Sequence, residues 1–171
     1  MPKYILPKVD YGRNLDEKIK GCENFYYWEA VSSMNAVRLN IANVPTEAQW
    51  LAIEWFAVNV LQPLRNKCGK ITLSSWFRCK LLNSNSAVSG SSTSFHLTGG
   101  GADLEPLECS LIELLNEAYK LPLFSEIIAE YFPHGWVHIG ALQGDNSRKL
   151  KLKDHAHNFS LITIEKLNKL Y

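Results

Sequence analysis

Ser94-Phe95-His96-Leu97-Thr98-Gly99-Gly100-Gly101-Ala102-Asp103 sets an imidazole and a carboxylate on either side of three glycines, and Trp136-Val137-His138 supplies a second imidazole further on. Zn²⁺ takes neutral His nitrogen and carboxylate oxygen, and catalytic zinc sites use three protein ligands with one position left open for water. Glycine, lacking Cβ, lets backbone fold tightly and reach left-handed conformations. The spacing therefore predicts a turn that brings His96 and Asp103 onto one ion, with His138 as third ligand. In Trp136-Val137-His138-Ile139, period-two alternation puts Trp136 and His138 on one strand face. An inward imidazole there needs a partner, because unpaired polar burial is unfavourable. Taken singly, His96 and His138 also read as structural histidines and Asp103 as a cap of the next segment. Together they predict a metallohydrolase.

Outward from that stretch, the chain fits one domain. Its 171 residues suffice for a sizeable core, and 46% hydrophobic with 20% charged residues is ordinary for a globular protein. A net charge of +1 argues against a nucleic-acid partner. No stretch approaches the roughly 20 apolar residues of a membrane-spanning helix, so no membrane insertion is expected. Met1 to Pro7 lacks the apolar run of a signal peptide, which predicts a start in a cytoplasm. Cys22, Cys68, Cys79 and Cys109 form no CxxC pair and read as free thiols. Lys149-Leu150-Lys151-Leu152-Lys153 reads as an edge strand with its lysines turned outward to block pairing; attraction to an anionic surface is the alternative.

Three regions are expected: an irregular arm over 1–24, a domain over 25–144, and a C-terminal strand and helix over 145–171 packed on that domain. Tyr26 to Val37 is amphipathic. Thr46 to Arg65 is the clearest helix, with Thr46 as N-cap and Trp50, Ile53, Phe56, Ala57, Val60 and Leu61 at helical spacing. Ile71 to Phe77 reads as a strand, Leu104 begins a short extended segment, and Cys109 to Tyr119 is a second amphipathic helix. Phe124 to Tyr131 and Trp136 to Ala141 read as strands around a Phe132-Pro133-His134-Gly135 turn. The Ser/Asn-rich run 83–94 reads either as a linker or, given its place just before His96, as an ordered functional loop.

Zinc hydrolysis also requires a proton acceptor and a grip on the substrate. Glu130, brought beside the His138 strand by a hairpin, is the first candidate base, and His134 in the turn is the second. The plain alternative for Glu130 is an exposed strand-end carboxylate. Arg78 is the electropositive candidate, since a guanidinium can hold a carboxylate with two hydrogen bonds; a surface ion pair is the other reading.

Ser75-Trp76-Phe77-Arg78, Leu82-Asn83, Gly90-Ser91, Ser94-Phe95-His96, Gly99, Ala102-Asp103 and Trp136-Val137-His138 together resemble the zinc D-Ala-D-Ala carboxypeptidase family. That family shares a fold with phage L-alanyl-D-glutamate endopeptidases and hedgehog signalling domains. Phe25 to Pro45, Val60 to Arg65 and Phe124 to Glu130 resemble its phage-associated branch, so the resemblance spans about residues 25–141. It implies an α+β fold, a small antiparallel sheet with flanking helices that holds the metal in a groove. It implies His96, Asp103 and His138 as zinc ligands, with Arg78 and Ser94 contacting a bacterial cell-wall peptide that contains D-amino acids. Many members carry the base as Asp or Glu three residues before the last histidine, where this chain has Gly135; Glu130 or His134 then takes that part. Gly101 stands where a small residue is usual. The expected protein is a phage lysin waiting in the host cytoplasm, or a virion component among other virion proteins. A catalytically weak virion structural or wall-binding module of the same fold, and a cytoplasmic D,D-dipeptidase, are the rival readings.

Overall fold

Thr46 begins the longest helical run because its hydroxyl accepts from the Gln49 amide while the Gln49 side chain accepts from the Thr46 amide, a reciprocal cap. The computed structural model describes residues 6–170; residues 1–5 of the expected arm and Tyr171 lie outside the described residues. Helix α1 covers Tyr27–Val31, α2 Met34–Arg38, α3 Glu47–Phe56 and α4 Gln62–Cys68, with a π-helical turn at Ala57–Leu61 joining the last two. The single helix expected over 46–65 is thus two α-helices, and it runs on to Cys68. Pro63 has no N–H, so it sits at the start of α4, and the wider π turn before it absorbs the mismatch. The amphipathic segment 26–37 forms the two short helices α1 and α2.

A six-stranded sheet follows, built from β1 (Ile71–Ser75), β2 (Gly101–Pro106), β3 (Glu126–Glu130), β4 (Trp136–Gly140), β5 (Lys149–Lys153) and β6 (Phe159–Leu161). Its spatial order is β1-β2-β4-β3-β5-β6, antiparallel at every junction except the parallel β3–β5 pair. The architecture is α+β, a mostly antiparallel sheet with flanking helices. Helices α5 (Lys80–Ser84), α6 (Leu111–Tyr119) and α7 (Ile164–Leu170) complete it. The extended segment expected from Leu104 begins earlier, at Gly101, which puts Asp103 within a strand.

Two expectations about the tail need correction. It carries two strands before its helix, and Lys149–Lys153 is interior to the sheet, paired by β3 on one side and β6 on the other. Alternating Lys and Leu is compatible with either place, and only the neighbouring strands decide. Helix faces and one sheet face share the main core, in which Trp50, Phe56, Trp76 and Phe77 are almost wholly buried, while Ala36, Ile41 and Leu82 form a small second cluster. Burial of each contributes about 2–3 kcal/mol. Tyr11, Ile19 and Cys22 of the arm and Leu150 and Leu167 of the tail belong to that same core.

Candidate metal centre

The opposite sheet face carries the polar residues. Asp103 on β2 pairs in register with His138 on β4, so both side chains rise from the same face. His96 reaches them from a single 3₁₀ turn, Phe95–Leu97, which Ser94 caps by accepting from the His96 amide (3.3 Å). Gly99 follows at φ +88, a conformation that suits glycine and returns the chain into β2. Gly101 and Gly140 face each other across β2 and β4, and Phe95 packs into the space left there. A Cβ on Gly140 would lie 2.5 Å from the Phe95 ring, and one on Gly101 2.6 Å from its Cβ. Gly101 is thus required by packing, more than the merely small residue expected there.

His96, Asp103 and His138 are 3%, 7% and 5% exposed, and one candidate ligand atom from each lies within 4.8 Å of the others. Asp103 Oδ1 is 2.8 Å from His138 Nδ1 and 3.2 Å from His96 Nε2. His96 Nδ1 donates to the Trp76 carbonyl at 2.6 Å, which leaves Nε2 as the acceptor nitrogen of the neutral ring. Burial lowers the His96 pKa, although Asp103 pulls the other way, so the ring stays neutral. A lone pair on Nε2 then faces a carboxylate oxygen. A cation between them satisfies both, which makes the donor set fit a divalent metal.

Burial pushes the Asp103 carboxyl upward, but the His138 Nδ1–H donating to Oδ1 works against this, and the carboxyl lies well below the usual range. Its second oxygen accepts from Arg78 Nη2 at 2.9 Å. Arg78 Nε donates to Ser75 Oγ at 2.8 Å, leaving Nη1 without a hydrogen bond among the described residues and available to a ligand. Carboxylates beyond the ligands fix their orientation in many metal sites. Here Glu126 Oε1 stands 3.8 Å from His138 Nε2, while its other oxygen pairs with Lys151 Nζ at 2.6 Å.

These groups open into a cleft of about 910 Å³, bounded on one side by the sheet and on the other by Val88–Phe95. The Ser/Asn-rich run is an ordered wall, not a linker: Asn83 Nδ2 donates to the Ser91 carbonyl and the Asn83 carbonyl accepts from the Gly90 amide. Glu130 is buried in the cleft lining, with Oε2 2.7 Å from Lys153 Nζ. Burial opposes the Lys153 ammonium, but Glu130 outweighs it and raises the Lys153 pKa. His134 is exposed in the turn and lies outside the lining. Arg78 and Ser94 both line the cleft. Sequence reasoning missed Glu126, Lys151 and Lys153. Period-two alternation from Glu130 back to Glu126 carries a signal for the first; for the lysines the signal was read with the strand at the sheet edge.

A buried pair of imidazoles and a carboxylate, open on one side to a polar cleft, is a donor set that could hold a divalent metal ion. The sequence profile described as peptidase M15 matches residues 23–140, and the chain belongs to that family. A comparison with curated protein sequences finds no match. No helix among the described residues is long and apolar enough to cross a membrane.

Proposed function

We propose that this chain is a zinc peptidase that cleaves stem peptides of bacterial cell wall, acting as a phage lysin or from a virion. The observation that carries this reading is Asp103 Oδ1 lying between two imidazoles, with Glu130 in the same cleft. His96 Nε2, Asp103 Oδ1 and His138 Nδ1 would hold the ion. When bound, zinc supplies Lewis acidity to the scissile carbonyl and to water.

The remaining work falls to this chain's own side chains. Glu130 Oε2 is held by Lys153, so Oε1 is left to accept a proton from water and return it to the leaving amine. Arg78 Nη2 orients Asp103, and Nη1 is free to hold a substrate oxygen. The Ser94 hydroxyl accepts from the His96 amide and keeps its own proton to donate into the cleft. His134, exposed and outside the lining, has no part in the proposal. The phage setting is supported by the sequence resemblance over 25–45, 60–65 and 124–130.

Purified wall in a zymogram gel, with zinc content measured on the same preparations, tests the reading. Wild type is expected to clear the gel. Glu130→Gln is expected to keep its zinc and lose about 10²–10⁴-fold in rate, the usual contribution of a general base. His96→Ala is expected to lose both zinc and clearing. Zinc-loaded wild type that hydrolyses no wall peptide would identify the chain as a binding module instead. Release of host cells from without by purified virions separates a virion component from a free lysin.

A further inference from the structure

Beyond residue 140, where the family match ends, β5 and β6 extend the face of the sheet that carries the site. Register pairs lead across it: Asp103 opposes His138, His138 opposes Ile128, Ile128 opposes Lys151, and Lys151 opposes Leu161. Alternation puts Lys149, Lys151 and Lys153 on the same face as His138. All three lysines line the cleft. Lys151 and Lys153 are committed to Glu126 and Glu130 at 2.6 and 2.7 Å, each with further N–H donors to spare. Lys149 is exposed and makes no direct ion pair among the described residues, Asp145 being the carboxylate near enough to feel its charge. With Arg78, four cationic side chains line a cleft that holds three carboxylates, those of Asp103, Glu126 and Glu130. The three carboxylates are already engaged by partners, so the cationic excess lies along β5.

Distance makes this specific. Two strand spacings separate β4 from β5, which sets the lysine row roughly 10 Å from His138. An extended peptide advances roughly 3.3–3.6 Å per residue, so a substrate reacting beside His138 brings a group about three residues away over the lysines. We propose that the β5 lysine row is a carboxylate-binding subsite, with Lys149 as its free donor, selecting peptides that carry an acidic group about three residues from the scissile bond. The proposal rests on the reading of the cleft as a peptidase site and names which peptides that site prefers.

The test is calorimetric titration of zinc-loaded protein with paired synthetic peptides, identical except for a free carboxylate or its amide at the third residue from the scissile position. Wild type is expected to bind the acid about tenfold more tightly, as one added charge-assisted hydrogen bond gives. Lys149→Gln should bring acid and amide to nearly equal affinity, and Lys149→Arg should restore the preference. Equal affinities in wild type, binding of neither peptide, or a preference untouched by Lys149→Gln would each overturn the subsite. Cleavage is read separately by mass spectrometry. A bound acid peptide that is never cut would defeat the peptidase reading and leave the subsite standing.

Discussion

His96 and Asp103 make opposite demands on protons, and the residue scale is where these are reconciled. Asp103 must stay ionised in a buried place, and it does so because His138 Nδ1 and the Arg78 guanidinium both donate to its oxygens. His96 must stay neutral, and burial sees to that by lowering its pKa. The sign for stability follows. In the unfolded chain a histidine takes up its proton at about pH 6.5. In the folded, metal-free protein His96 resists protonation until the pH is lower, so the unfolded state binds more protons in between. Its contribution is fully present above about pH 6.5 and is lost as pH falls through the folded value. Chelator-treated protein is therefore expected to lose urea stability between pH 7.5 and 5, with a slope of at most about 1.4 kcal/mol per pH unit from this group. His96→Gln, which cannot titrate, should flatten the slope; an unchanged slope in that variant would show that the imidazole is not the titrating group.

Elements decide which residues can meet, and the β3–β4 turn does so through Gly135. A Cβ there would run into the Glu130 carbonyl, so the turn leaves no space for the acidic side chain that the family resemblance would put at this position. The same turn keeps Glu130 in register with Trp136, two pairs along from His138 and on the same face, and so inside the cleft. Gly135→Asp is expected to lower stability by about 1–3 kcal/mol, the usual effect of overpacking, and to reduce hydrolysis instead of raising it. Thermal unfolding and peptide turnover check this, and a gain in rate at unchanged melting temperature would contradict it. Much of this scale was legible in the sequence. The alternation of Trp136 and His138, the cap at Thr46 and the motif order place β4, α3 and the three proposed ligands near their observed positions. The Ala57–Leu61 π turn was not legible, because its apolar spacing still fits a continuous helix. Arg78 illustrates a different limit: its charge marks it as an anion grip, but its bond to Asp103 arises from register between strands far apart in sequence.

At the scale of the whole molecule, the question is whether residues beyond the family match are an appendage or part of the fold. Strand β5 covers the edge of β3, and β3 carries Ile127 and Ala129, both wholly buried. Leu150 and Leu167 enter the common core, and Arg148 donates to the Tyr119 carbonyl at the end of α6 and to the Leu121 carbonyl just beyond it. Sequence alone could not place Lys149–Lys153, since the strand that pairs with it in parallel lies beyond the intervening strand β4. Removing 145–171 would expose an apolar strand edge, unseat part of the core, and free Glu126 and Glu130 from their lysines. The fragment 1–144, although it contains the whole matched segment and every proposed ligand, is therefore expected to lack a cooperative thermal transition and near-ultraviolet dichroism. Leu150→Ala is the graded version: it should cost about 2–5 kcal/mol in the full chain, as truncation of a buried leucine does. A fragment that melts cooperatively at the full-length temperature would mean that β5, β6 and α7 are an addition to a complete domain. The lysine row would then be a separable wall of the cleft, not one the fold itself requires.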